Sequence, residues 1–113
     1  MTNVGRVLDA LGDPTRRVVF QRLREGARSV TEISRGMKVT RPAVSQHLKV
    51  LREARLVTQH AEGTRRMYAI DSRGVEALRA WLDTFWDTAL AAFREAAELE
   101  AEKARNHGKG AGK

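Results

Sequence analysis

The opening residues place Val4, Val7, Leu8 and Leu11 at i, i+3, i+4 and i+7, the spacing of a short amphipathic helix over 3–11 that Gly12 ends. Asp13-Pro14 then restarts a helix. Asp13 serves as N-cap, and Pro14 takes the first helical position, where its missing N–H costs nothing. This second helix is predicted to reach about Glu25, burying Val18, Val19, Phe20 and Leu23 in part, with Gly26 as its C-terminal cap. Thr31 is predicted to cap a short third helix that carries Ile33 and ends near Gly36-Met37. A tight turn through Met37-Lys38-Val39 leads to Thr40, the cap of a fourth helix whose apolar stripe is Val44, Leu48 and Leu51.

From Leu56 the period shortens. The runs LVTQHA and RRMYAI flank Glu62-Gly63, an acidic-Gly pair of the kind that favours a tight hairpin. After Asp71-Ser72 a long helix is predicted to about Lys103, with Val75, Leu78, Leu82, Phe85, Trp86, Ala89, Phe93 and Ala96 on its apolar side. With Trp81 and Leu90 included, that stripe covers about half of the cylinder, more than a one-sided surface helix needs. Glu76, Asp83, Asp87, Arg94 and Glu98 occupy the other side. The ending NHGKGAGK is expected to be disordered. The pattern predicts a mostly α chain with a small β-hairpin in the order α-α-α-α-β-β-α. A winged helix-turn-helix domain would fill residues 1–104, with a disordered basic tail at 105–113.

The fourth helix poses the functional question. Opposite its apolar stripe lie Arg41, Ser45, Gln46 and Lys49, and a solvated face is what such residues most often make. The charge distribution changes that weighting. Residues 1–60 hold twelve Lys/Arg against five Asp/Glu, whereas residues 61–113 hold nine against nine, so the net +7 is concentrated around this segment. A polyanion is the natural partner of such a surface. Arg41 suits a guanine or a phosphate, and Gln46 suits the two edge groups of adenine. Ser45 and His47 are short enough to reach a base edge or a phosphate, and Pro42 keeps the helix start slim. Arg65 and Arg66, just past the hairpin tip, are candidates for the minor groove or the backbone beside it. Arg16, Arg17, Arg35 and Lys38 are lesser candidates for phosphates.

Other chemistries find little support. With no cysteine there is no disulfide, thiolate metal site or thiol nucleophile. His47, His60 and His107 are scattered, and Asp83 with Asp87 makes only a two-carboxylate pair, so no metal or other cofactor is expected. Ser45 and His47, two apart on a helix, point about 200° apart, which speaks against an enzyme. No signal-peptide core opens the chain and no apolar run suits a membrane, so a cytoplasmic protein is the expectation.

LGDPTRR at Leu11–Arg17, VSQHLKVLREARLV at Val44–Val57 and the EGTRRMYAI hairpin resemble the ArsR-type winged helix-turn-helix repressors of bacteria. The resemblance spans about residues 4–100. It implies a homodimer formed by the first and last helices, here through Val4, Leu8, Leu82, Phe85, Trp86 and Phe93. It also implies DNA contacts from Arg41, Ser45, Gln46 and His47, and wing contacts from Arg65 or Arg66. The family's metal sensors use thiolates near the third helix or Asp/His pairs along the last. This chain has no Cys, and no His between Trp81 and Phe93. The family also commonly has Gly where Arg55 stands.

The reading that results is a homodimeric, sequence-specific repressor of a palindromic double-stranded DNA operator. Its recognition helix spans about 41–54 and its wing about 56–70, and its signal is an unidentified small molecule or protein. The alternatives are a metal-responsive repressor of the same fold, or a winged-helix protein-interaction module that does not bind DNA.

Overall fold

A computed structural model describes the backbone of residues 2–111 and the side chains of residues 2–106. Its elements are α1 (Val4–Leu11), α2 (Pro14–Gln21), α3 (Val30–Ser34), α4 (Arg41–Glu53), β1 (Val57–Glu62), β2 (Arg65–Ile70) and α5 (Ser72–Ala111). The order is the predicted one. Two compact units make up the chain, Met1–Ala80 and Trp81–Lys113.

Local chemistry sets the helix starts of the first unit. The Asn3 side chain accepts from the Gly5 and Arg6 N–H groups, and Asp13 accepts from Arg16 N at 3.1 Å ahead of Pro14. Helix α2 ends at Gln21, four residues before the predicted end, and residues 22–25 turn tightly toward Gly26. The cap of α3 is Ser29, not Thr31. Ser29 Oγ accepts from Glu32 N at 3.3 Å while Glu32 Oε1 accepts from Ser29 N at 3.1 Å, a complete capping box. Thr40 caps α4 as predicted, accepting from Ala43 N at 3.2 Å.

One apolar core binds these elements. Val7, Val19, Ile33, Val44, Leu48, Leu51 and Leu56 are fully buried, and Leu11, Phe20, Val30 and Leu78 pack around them. The predicted stripe of α4 is therefore its inner side, and the residues opposite are free to face outward.

The exit from α4 is unusual. Leu56 N donates to Leu51 O at 2.9 Å and Arg55 N donates to Arg52 O at 3.0 Å, the paired bonds of a Schellman motif. The residue in the left-handed position of that motif is Arg55, with φ of 64°. Glycine is usual there, because a Cβ in this conformation costs about 1 kcal/mol. Gly74, in the first turn of α5, covers the same corner. Its N–H donates to Arg55 O at 2.8 Å, and a Cβ on it would lie 2.6 Å from that oxygen and 3.0 Å from Leu56 Cδ2. Gly74→Ala is expected to destabilise the fold by about 1–3 kcal/mol through this overlap, despite alanine's better helix propensity, as measured by urea denaturation.

β1 and β2 form an antiparallel hairpin in which Val57 pairs with Ile70 and Glu62 with Arg65. The loop is the two residues Gly63-Thr64, one step beyond the predicted Glu62-Gly63, and Gly63 supplies the positive φ that a two-residue hairpin needs. Arg28 adds a reciprocal bridge to the outer edge of β2, with Arg28 N to Tyr68 O at 2.9 Å and Tyr68 N to Arg28 O at 2.8 Å.

In the second unit α5 carries Leu82, Phe85, Trp86, Leu90, Phe93 and Leu99 exposed, with Trp86 at 65% and Phe93 at 74%. Trp81 and Phe85 meet edge to face, ring centres 4.7 Å apart. The helix runs on to Ala111 instead of ending near Lys103. The tail expected over 105–113 overlaps the end of α5, and residues 112–113 lie outside the described residues.

Candidate nucleic-acid interface

Helix α4 presents its polar side on a buried foundation. Arg41, Pro42, Ser45, Gln46 and Lys49 are all exposed, and each stands within a turn of a fully buried anchor, Val44 or Leu48. Arg41, Ser45 and Lys49 follow one another at i, i+4 and i+8, so they form a single line along the helix, with Pro42 and Gln46 beside it. No acidic residue interrupts the exposed side before Glu53. A rigid rod with donors and positive charge on one side, about 10–12 Å across with its side chains, matches the width of a DNA major groove.

His47 stands apart from that line. It is half-buried on the flank shared with Ala43 and Val50, near the start of α2. There it adds to the forces that lower the Asp13 carboxyl pKa, the largest being the Arg16 N–H hydrogen bond. Expected beside Ser45 and Gln46 as a DNA contact, it lies two steps from Ser45 and so on a different side of the helix from that residue.

The wing arginines divide. Arg66 is exposed, opposite Ala61 in the hairpin. Arg65 is turned back toward the body, its Nη2 donating to Glu32 Oε1 at 2.8 Å and to Ser29 Oγ at 3.1 Å. The capping box of α3 thus doubles as the anchor of the hairpin tip. The Ser29 N–H and hydroxyl, followed by the positive charge of Arg65, hold the Glu32 carboxyl below its ordinary pKa. If Arg65 positions the wing and does not itself touch DNA, Arg65→Ala and Glu32→Ala should each weaken duplex binding, and the double variant should be no weaker than the worse single. Additive losses in fluorescence anisotropy would return Arg65 to the DNA-contact set.

Three other arginines donate to backbone carbonyls of their own chain. Arg16 Nη1 donates to Ala10 O at 3.2 Å and Arg17 Nη1 donates to Leu11 O at 2.8 Å, so both cap the negative end of α1. Arg22 reaches Ile33 O at 3.1 Å and also the Arg35 carbonyl. Arg16 is half-buried by this capping, whereas Arg17, Arg35 and Lys38, the other lesser phosphate candidates, remain exposed.

Sequence reasoning missed Ser29 and Glu32, although S-x-x-E is the spacing of a capping box. It also missed the Arg28–Tyr68 bridge, for which a single residue pair leaves no periodic signal. Among the described residues, no three His, Asp or Glu side chains converge as a metal site, and no helix is long and apolar enough to cross a membrane.

Comparison with known proteins agrees with this geometry. A family model described as a helix-turn-helix domain matches residues 11–60. The chain is 47% identical to the HTH-type transcriptional regulator Rv2034 of Mycobacterium tuberculosis over 86% of its own length and 91% of the relative's. It is 26% identical to the transcriptional repressor SdpR of Bacillus subtilis over 73% of this chain and 91% of that one. Among solved structures, it matches the homodimeric winged helix-turn-helix DNA-binding domain of an ArsR-family candidate from Mycobacterium bovis. That match has a TM-score of 0.60 and 31% identity, and covers 77% of this chain and 81% of the other. An exposed donor-rich helix, a hairpin wing and these relatives lead to one conclusion: the chain belongs to the ArsR family of winged helix-turn-helix transcriptional regulators.

Proposed function

We propose that the protein is a homodimeric repressor in the cytoplasm that binds a palindromic operator. Helix α4 enters the major groove while the wing lies over the flanking backbone. The observation that carries this reading is the one-sided α4, fully buried at Val44, Leu48 and Leu51 and exposed at Arg41, Ser45, Gln46 and Lys49. In this assignment Gln46 and Arg41 read base edges, Ser45 and Lys49 hold phosphates, and Pro42 lets the helix start approach the groove floor. Arg66 is the wing contact and Arg65 its support. Dimerisation is supported by the exposed Leu82, Phe85, Trp86 and Phe93, by the homodimeric M. bovis neighbour, and by half-buried Val4 and Leu8 on α1. Repression is supported by the name of the B. subtilis relative.

The test is selection of random duplex DNA by the purified protein. An inverted repeat should be enriched, its half-sites about 34 Å apart, one helical turn from centre to centre. Gln46→Ala should flatten preference at one position of each half-site, by about 1–3 kcal/mol. Failure to enrich any sequence would overturn the proposal.

A further inference from the structure

A second concentration of positive charge lies at the other end of α4. Arg6 of α1, Lys49 and Arg52 of α4, Arg55 at its exit and Arg73 of α5 line an open cleft of about 680 Å³, with Glu53 the lone carboxylate on its wall. Arg73 is already neutralised, its guanidinium bonded to Asp71 at 2.7 and 3.1 Å. Among the described residues no ion pair engages Arg6, Lys49, Arg52 or Arg55. Four cations therefore line one concave surface with one counter-charge, and of these Arg52 also donates to the Gln59 side-chain oxygen at 2.8 and 3.1 Å. Like charges in such a cleft repel one another and focus their field outward, so the arrangement is stabilised by an anion.

The backbone at Arg55 is a second and independent observation. The left-handed exit from α4 is made by an arginine, although the hydrogen bonds of the turn need only a backbone and glycine would satisfy them without strain. Strained residues of this kind collect where a side chain is needed for binding. The cleft also continues the line of α4. Arg41, Ser45, Lys49 and Arg52 lie at i, i+4, i+8 and i+11, so the exposed stripe runs about 16 Å from the Thr40 end into the cleft.

We propose that this cleft is a sequence-independent phosphate site. It takes the sugar-phosphate strand of a bound duplex beyond the base pairs read by α4, with Arg55 as its central contact. The proposal rests on the reading of α4 given above, but it makes a separate demand. Arg55→Gly removes the side chain and relieves the backbone, so its thermal midpoint should equal or exceed that of the parent, while its hold on duplex DNA weakens.

The experiment titrates a mixed-sequence duplex of about three helical turns against salt for the parent, Arg55→Gly and Arg6→Ala. Each variant should lower the slope of log K on log salt by about one in magnitude per phosphate lost, with base preference unchanged. Unaltered slopes in both variants would overturn the proposal. Tripolyphosphate titrated into the free protein separates the two sources of phosphate. If it binds in a manner that Arg55→Gly abolishes while the duplex slope stays unaltered, the occupant is a small phosphate compound and the strand assignment is overturned. Loss of base preference in Gln46→Ala reports on α4 alone, so failure of that reading remains distinguishable from failure of the cleft.

Discussion

Affinity for duplex DNA should fall by about a hundredfold to ten-thousandfold when salt is raised from about 50 to about 200 mM. Each protomer of the proposed dimer offers Ser45 and Lys49 along α4 and Arg66 on the wing as phosphate contacts, and the cleft adds Arg55 and Arg6. Ser45 is neutral and releases no counterion, so two copies of two to four cationic contacts neutralise about four to eight phosphates, and the counterions released set a slope near −0.9 for each. Anisotropy titrations across that salt range measure it directly. A slope of about −2 or shallower would mean that the exposed side of α4 does not lie against a duplex, whatever else binds there. The Coulombic part of binding is also the part that Arg41→Ala and Gln46→Ala should change least in relative terms, since their main loss is in base discrimination.

Leu48→Ala should cost about 2–5 kcal/mol of folding stability, lowering the thermal midpoint by roughly ten to thirty degrees. Leu48 is fully buried at the centre of α4, between Val44 and Leu51, in the cluster that also holds Val19 and Ile33. Truncation leaves a cavity where α2, α3 and α4 converge, and helices tied by caps and short turns have little freedom to close it. Gln46→Ala, two residues away on the exposed side, should shift stability by no more than about 0.5 kcal/mol. Calorimetry on the pair separates the two sides of one helix: the first variant loses the fold, the second only its reading of bases. A midpoint for Leu48→Ala within two degrees of the parent would mean that this core is not what positions α4.

Much of this architecture was legible because its signals are local. Asp13-Pro14, Thr40 and the alternation after Leu56 each fix an element through chemistry within a few residues, and the structure places all three elements where those signals put them. The outward set on α4 followed from period alone, and the same period puts half-buried His47 on a different side from Ser45. What was not legible depends on partners distant in sequence. Nothing near Arg65 announces that Glu32, thirty-three residues earlier, accepts its guanidinium. Nothing near Arg16 announces the carbonyls at the end of α1. The left-handed backbone at Arg55 lay between these cases. The resemblance raised it, and only the paired bonds to Leu51 and Arg52 show that the arginine accepts a conformation suited to glycine.

The hairpin is fastened at two heights, by the Arg28–Tyr68 bridge on β2 and by Arg65 just past the turn. A wing held in this way has little room to swing, so the interval between it and α4 is set before any duplex arrives. Under the proposed function the protein then behaves as a calliper with a fixed opening. Operators whose flanking steps bend or narrow easily to that opening would bind better than stiff ones carrying the same contacted bases, which makes DNA pliability part of what is recognised.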